Sequence, residues 1–361
     1  MATPISEIIN KFVAGTEASG FGNGHINETY LVEPRQYVIQ KINTKVFTKP
    51  DELMENIVNV TTFLQKKIKE EYGDPTRETL TVVKTIDGQD YYQDEDGGCY
   101  RVYKYIDNSR AVDFNPTLSE LYNAAKAFGK FQKMLDDYPA DTLHETIVNF
   151  HYTPGRFNNL LKAIEEDVVG RKASVEKEIE FALSCRDWIS TVTDGIADGT
   201  IPLRVTHNDT KINNVLFEQN SDKAFCVVDL DTVMPGSVLY DFGDALRIGA
   251  ATADEDETDL SKVSFDIEKF RSFAKGFLKE VAVCLTDREI ELLAFSAKLL
   301  TYECGIRFLT DYLQGDTYFR IHRENHNLDR ARTQFKLVWD MEQKMDEMNA
   351  IVHDIAKKYR R

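Results

Sequence analysis

No run of 18 apolar residues occurs in this 361-residue sequence, so no segment is long and apolar enough to cross a bilayer as a helix. No block of five or more Lys or Arg occurs either. Lys plus Arg total 44 against 60 Asp plus Glu, and a net charge of −16 argues against nucleic acid and anionic membrane as partners. The expected partner is a small molecule that is neutral or cationic, or an anion neutralised by a metal. The five cysteines, Cys99, Cys185, Cys226, Cys284 and Cys304, form no C-x-x-C pair, and no histidines cluster at zinc spacing. Reduced thiols in cytoplasm are therefore expected. The opening MATPISEIINKFVAG has no basic region followed by an unbroken apolar run, so it is not expected to act as a signal peptide. There is no internal repeat, and the short acidic run at 253–259 reads as a solvated loop.

What is present is enough for two lobes: 42% of residues are apolar and 11% aromatic. A first helix places Ile5, Ile8, Ile9, Phe12 and Val13 on one face. From about 17 to 106 the period changes to that of strands. ETYLVE, a Pro-Arg turn and YVIQKI make a hairpin, an amphipathic helix covers about 50–70, and TLTVVKTI, DYYQ and CYRVYKYI supply further strands. From Pro116 onward the pattern is mostly helical, near 117–137, 156–168, 175–197, 267–283, 287–313 and 328–359. This predicts an α+β protein with a β-rich lobe over 1–106 and a mostly helical lobe over 107–361. One island of loops and short strands, 204–236, interrupts the helices and is the expected seat of chemistry.

Within that island His207-x-Asp209-x-x-x-x-Asn214 precedes an apolar strand ending in Asp229-Leu230-Asp231. Order, spacing and strand context match the catalytic and metal loops of a protein-kinase-like fold. Phosphoryl transfer has a loose transition state, so the protein mainly aligns the acceptor oxygen and neutralises phosphate charge. A carboxylate at the acceptor (Asp209) and a separate group of hard oxygen donors for Mg2+ (Asn214, Asp229, Asp231) meet that need. On an extended segment Asp229 and Asp231 would project to one face. Lys211 is placed near the transferred phosphoryl group, while His207 and Asp241 are read as organisers of the loop. A lone N-D-T or D-L-D is usually a turn or a strand end; the coincidence of all four residues in this order carries the reading.

Gly22-x-Gly24-His25-x-Asn27 lies between two predicted strands, where glycines let backbone N–H groups approach phosphate oxygens. A plain hairpin turn fits the same residues. No G-K-S/T follows, so this is not a Walker loop. The third strand offers Gln40 and Lys41, which face opposite sides, and the sequence does not choose between them. Tyr103, Lys104 and Tyr105 stand where a kinase hinge would, and either tyrosine is a candidate to flank adenine.

HNDTKINN, VVDLDTVMPGSVLYDFGD, GNGHINETYLV and LLTYECGIRFLTDYLQGDTYF closely resemble the N-acetylhexosamine 1-kinases of the aminoglycoside phosphotransferase and choline kinase superfamily. The resemblance runs over nearly the whole chain. It implies a protein-kinase-like two-lobe fold and transfer from ATP, with Mg2+, to the anomeric hydroxyl of N-acetylglucosamine or N-acetylgalactosamine. It further implies that Asp209 is the base, that Asn214, Asp229 and Asp231 handle the metal, that His25 and Arg307 lie near sugar and phosphates, and that Gln40 faces inward. Glu303, Arg307 and Asp311 form an i, i+4, i+8 stripe in an otherwise apolar helix. That stripe and Tyr318 are candidate sugar contacts, and an intrahelical ion-pair ladder explains the stripe equally well.

Overall fold

A computed structural model describes residues 4–13, 17–21, 26–113 and 115–360. The chain divides into two compact units. The first comprises Met1–Val112, Pro139–Val148 and Asn214–Pro235; the second comprises Asp113–Tyr138, Asn149–Asn213 and Gly236–Arg361.

The first unit holds an antiparallel sheet. β1 (Ala18–Gly20), β2 (Glu28–Val32) and β3 (Tyr37–Ile42) are successive neighbours, followed by β6 (Cys99–Lys104) and then β4 (Val82–Val83), with β5 (Tyr92–Gln93) also on β6. The register opposes Gln40 to Arg101 and Lys41 to Tyr100. The predicted strand over 79–86 shrinks to two residues, because Thr85 N–H turns back to the Gln89 carbonyl around Gly88, whose φ is +81°. α1 (Ile5–Ile9) lays Ile8 and Ile9, with Phe12 just beyond, against Val32, Ile39, Tyr100 and Val102. α2 (Pro50–Glu70) starts on a proline, with Asp51 and Glu52 in its first turn, and ends among lysines, as the helix dipole favours. A second sheet joins β7 (Ser109–Arg110) to the hairpin β8 (Val215–Glu218) and β9 (Ala224–Val227).

The second unit is helical: α3 (Leu118–Met134), α4 (Thr153–Glu166), α5 (Glu176–Ser184), α6 (Thr191–Ala197), α7 (Val238–Gly249), α8 (Ile267–Val281), α9 (Asp287–Leu313) and α10 (His326–Tyr359). Two capping boxes, Thr117 with Glu120 and Thr286 with Glu289, fix the starts of α3 and α9. The helix expected over 175–197 is broken in two by a 3-10 turn at Arg186–Trp188. α7 was absent from the sequence expectation. It is buried on nearly every side, and its polar residues Asp241, Asp244 and Arg247 turn inward rather than to solvent. Gly243 makes its packing possible: a Cβ there would stand 2.4 Å from the Ser296 carbonyl oxygen of α9. Phe242 of α7 then packs edge-on to Phe270, Phe273 and Phe277 of α8.

Candidate active site

In the helical unit the loop after Arg204–Thr206 carries Asp209. Arg204 anchors its approach with two bonds to Glu289, Nε at 2.6 Å and Nη2 at 2.9 Å. Asp241, in the first turn of α7, then takes the backbone itself. Its Oδ2 accepts from the His207 N–H at 2.9 Å, its Oδ1 from the Asn208 N–H at 2.7 Å, and its own carbonyl from Thr210 Oγ1 at 2.6 Å. Gln132 of α3 donates to the same carboxylate. The His207 ring is buried edge-on between Phe128 and Phe131, centroids 5.8 and 6.0 Å away. Both residues thus serve as loop organisers.

Lys211 Nζ lies 2.8 Å from Asp209 Oδ1. Burial pushes the Asp209 carboxyl upward, but Lys211 above all, with His207 and Arg247, outweighs it and holds the group below the usual range. Asp209 is therefore an ionised acceptor at neutral pH, suited to orient a hydroxyl rather than to strip it in advance. Burial likewise lowers and Asp209, then Asp244, raise the Lys211 ammonium, with a net rise. Asp244 receives Arg247 Nε on Oδ1 at 3.3 Å, and its buried Oδ2 has no hydrogen-bond partner among the described residues.

The stripe on α9 resolves differently from an ion-pair ladder. Glu303 is buried, with Oε1 2.9 Å from His151 Nδ1 and Oε2 accepting from Thr153 Oγ1 at 2.5 Å. Asp311 accepts from the backbone N–H groups of Thr317, Tyr318 and Phe319 and from Asn327. Arg307 lies over the Phe319 ring at 5.4 Å, and Tyr318 is 72% exposed.

In the β-rich unit the hairpin β8–β9 brings the remaining acids together. Val215 pairs with Val227, and the Val228 N–H donates to the Asn214 carbonyl at 2.9 Å, so Asn214 and Asp229 flank one end of the hairpin. The extended segment expected through Asp231 is not formed. β9 ends at Val227, Asp229 takes a left-handed φ of +59°, and Leu230–Thr232 form a 3-10 turn, so Asp229 and Asp231 do not follow strand alternation. Asp231 Oδ1 lies 2.5 Å from Arg101 Nη1, and its Oδ2 accepts from Asn27 Nδ2 at 2.6 Å.

Arg101 is only 1% exposed and went unnoticed in the sequence, where it is one cation in an aromatic strand. It also donates through Nε and Nη2 to Gln40 Oε1, at 3.0 and 2.8 Å. Gln40 thus shares a face with Arg101 and Asp231, while Lys41 leans over the Tyr100 ring at 5.9 Å. Tyr103 lies on that face as well, 5.3 Å from the Arg101 guanidinium, its buried hydroxyl without a partner among the described residues. Tyr105 meets Phe21 edge-on at 6.2 Å. Gly22, Gly24 and His25 lie outside the described residues.

The sequence model of the phosphotransferase enzyme family matches residues 17–271, which include the whole catalytic island. The chain belongs to that family. Solved structures with the same fold include a microcompartment-associated aminopropanol kinase (12% identity, 96% of this chain and 98% of that one, TM-score 0.63). A spectinomycin phosphotransferase in complex with ADP and spectinomycin is 13% identical over 98% of this chain and 96% of its own, with a TM-score of 0.55. An amicoumacin kinase in complex with AMP-PNP and Ca2+ is 15% identical over 91% and 88%, with a TM-score of 0.53. The antiparallel-sheet unit and the helical unit are those of the protein-kinase-like phosphotransferase fold. For a phosphotransferase, an amide oxygen and a carboxylate are donors that suit a hard divalent cation completed by phosphates and water. Asn214 and Asp229, at one hairpin end, are the candidates for that pair, and both Asp231 oxygens are engaged by Arg101 and Asn27.

Proposed function

We propose that this phosphotransferase is an ATP-dependent kinase of the anomeric hydroxyl of N-acetylhexosamines, releasing a sugar 1-phosphate. The observation that carries the phosphoryl-transfer reading is Asp209, kept ionised beside Lys211 on a loop whose backbone is held by Asp241. The acceptor hydroxyl donates to the Asp209 carboxylate. As the new P–O bond forms, the bond to the β-phosphate oxygen breaks, ADP leaves with that electron pair, and the hydroxyl proton passes to Asp209. Lys211 is placed to meet the negative oxygens of the moving group. Magnesium, held by Asn214 and Asp229, would supply neutralisation of phosphate charge.

The choice of acceptor rests on the long strings shared with N-acetylhexosamine 1-kinases. Four buried polar atoms of the helical unit lack a partner among the described residues: Asp244 Oδ2, Arg156 Nε, Arg330 Nε and Gln334 Oε1. In the family the acceptor varies, as the aminopropanol and spectinomycin enzymes show by name.

The test is a magnesium-ATP assay against N-acetylglucosamine, N-acetylgalactosamine, glucose, aminopropanol, choline and spectinomycin, with 31P NMR of the product. An anomeric phosphate on the N-acetylated sugars is expected; phosphate on another acceptor overturns the sugar assignment and leaves the phosphotransferase. Asp209→Asn is expected to lower kcat by about 10³-fold or more with nucleotide binding nearly unchanged. Near-normal turnover in that variant overturns the role of Asp209.

A further inference from the structure

His151 is a buried histidine with both ring nitrogens on oxygen acceptors. Nδ1 lies 2.9 Å from Glu303 Oε1, and Nε2 lies 2.9 Å from the Asn208 carbonyl oxygen. A neutral imidazole carries one N–H, and neither the Asn208 carbonyl nor an ionised Glu303 carboxylate can donate in return. Burial raises the Glu303 carboxyl, but His151 and Thr153 outweigh it and hold the group ionised, and with an ionised Glu303 the geometry calls for the doubly protonated ring. Glu303 is equally committed, because Thr153 Oγ1 occupies its other oxygen.

The second acceptor places this ion pair in the mechanism. The Asn208 carbonyl belongs to the peptide group that leads into Asp209. The N–H of that same group, on Asp209, points to His207 Nδ1 at 3.3 Å. One peptide plane is thus gripped at its oxygen by His151 and at its nitrogen by His207. Asn208 itself sits at φ +65°, a left-handed conformation, with its N–H on Asp241 and its side-chain Oδ1 accepting from Thr206 Oγ1 at 3.0 Å. A backbone bent this way reverts unless its polar groups are satisfied in place. The peptide plane in turn sets the direction of the Asp209 side chain.

We propose that His151 is a positioning residue, a buried imidazolium tied to Glu303 whose Nε2–H holds the Asn208 carbonyl and thereby aims Asp209 at the acceptor hydroxyl. The proposal rests on the phosphotransferase reading of Asp209 and adds a group that sequence motifs do not mark. The groups that face the pair are Glu303 and Arg307 on α9, Asp244 and Tyr240 on α7, and Arg156 on α4, with the Tyr240 ring 4.9 Å and the Phe150 ring 4.6 Å from the imidazole. Burial lowers the imidazole, but Glu303 outweighs it and, with Asp244 and the Asn208 carbonyl, raises it above the ordinary histidine value. The sign follows. The grip is complete below the raised value and is lost as pH rises through it, when a bare nitrogen faces one of the two acceptors.

The test uses the full chain, selectively labelled with 15N-histidine and with backbone probes at Asn208 and Asp209. Both His151 nitrogens are expected to carry protons at pH 7, and the Asn208 and Asp209 backbone signals to titrate together with the ring. Glu303→Gln is expected to lower the His151 midpoint and to shift the alkaline limb of kcat to lower pH, with KM for ATP within about twofold. His151→Gln is expected to lose about 10²-fold in kcat, the scale of a displaced catalytic group. A neutral His151 at pH 7, or backbone signals at Asp209 that ignore its titration, overturns the proposal. Asp209→Asn is the separate control: if it transfers phosphate as well as the parent, the reading of Asp209 has failed, while the NMR result still decides whether His151 governs the loop.

Discussion

Replacing Arg101 by methionine removes one guanidinium and leaves three commitments unmet. Asp231 Oδ1 loses a partner at 2.5 Å, and Gln40 Oε1 loses two donors. The pair is nearly inaccessible, with side-chain exposures of 1% and 5%, so water cannot take the place of the cation without the strands parting. Breaking a buried pair from one side costs about 3–5 kcal/mol, since the remaining charge keeps its desolvation penalty and loses its compensation. The orphaned amide oxygen falls within the same rearrangement and is not added separately. At 1.4 kcal/mol per tenfold, the loss corresponds to about 10²- to 4 × 10³-fold in the opening equilibrium of the β3–β6 ladder. Hydrogen exchange read on peptides covering Tyr37–Ile42 and Cys99–Lys104 measures that quantity in this unit alone. The double replacement Arg101→Met with Asp231→Leu removes both charges, and is expected to recover exchange protection to within about 1 kcal/mol of the parent. Protection in Arg101→Met within threefold of the parent would refute the reasoning, because it would mean that solvent reaches the pair. A double variant no better than the single one would also refute it, by showing that shape rather than charge sets the cost.

Lys211→Met removes the main influence that holds Asp209 low. A carboxylate with a depressed value is ionised above it and lost as pH falls through it, so the acid limb of kcat in this variant is expected at higher pH than in the parent, checked by a pH–rate profile. Gly243→Ala drives a methyl to within 2.4 Å of the Ser296 carbonyl, a backbone atom that cannot turn aside, and is expected to destabilise the helical unit by about 1–3 kcal/mol in thermal or urea unfolding. Thr286→Ala removes the side-chain acceptor for the Glu289 N–H and is expected to cost about 1 kcal/mol by the same assay.

Local patterns carried the sequence reading where neighbours in the chain are neighbours in space. The hairpin Glu28–Ile42 and the helix Pro50–Glu70 announce themselves through a period of two or 3.6, and the span Asp287–Leu313 through its capping box and its long apolar stretch. The motif from His207 to Asp231 was legible for the same reason. What escaped was decided by register and burial. Arg101 meets Gln40 only because β6 pairs with β3 across 61 residues, and nothing in CYRVYK says which partner it will have. His151 reaches the catalytic loop across 57 residues and Glu303 across 152, so a lone histidine gave no sign of either. α7 was read as part of the motif Asp241-Phe242-Gly243-Asp244 rather than as a helix, and its acids lie buried instead of on a wet face. Asp231 read as a strand residue because the left-handed turn at Asp229 is a property of φ, not of residue type.

The carboxylate of Asp311 grips the segment Thr317–Phe319 through three main-chain N–H groups. A clamp of that kind is indifferent to the identity of the side chains it holds, because every residue except proline offers the same donor. Thr317 and Tyr318, whose side chains are exposed, therefore form a cassette: amino acids can be exchanged at these two positions while the path of the chain is kept, whereas Phe319 is also held by its ring against Phe308. A library randomised at 317 and 318 with proline omitted should retain folded members at high frequency, whereas the same library built around Asp311→Ala should not. In evolutionary terms, a lineage of such enzymes would be free to vary these two positions quickly while Asp311 itself stayed fixed.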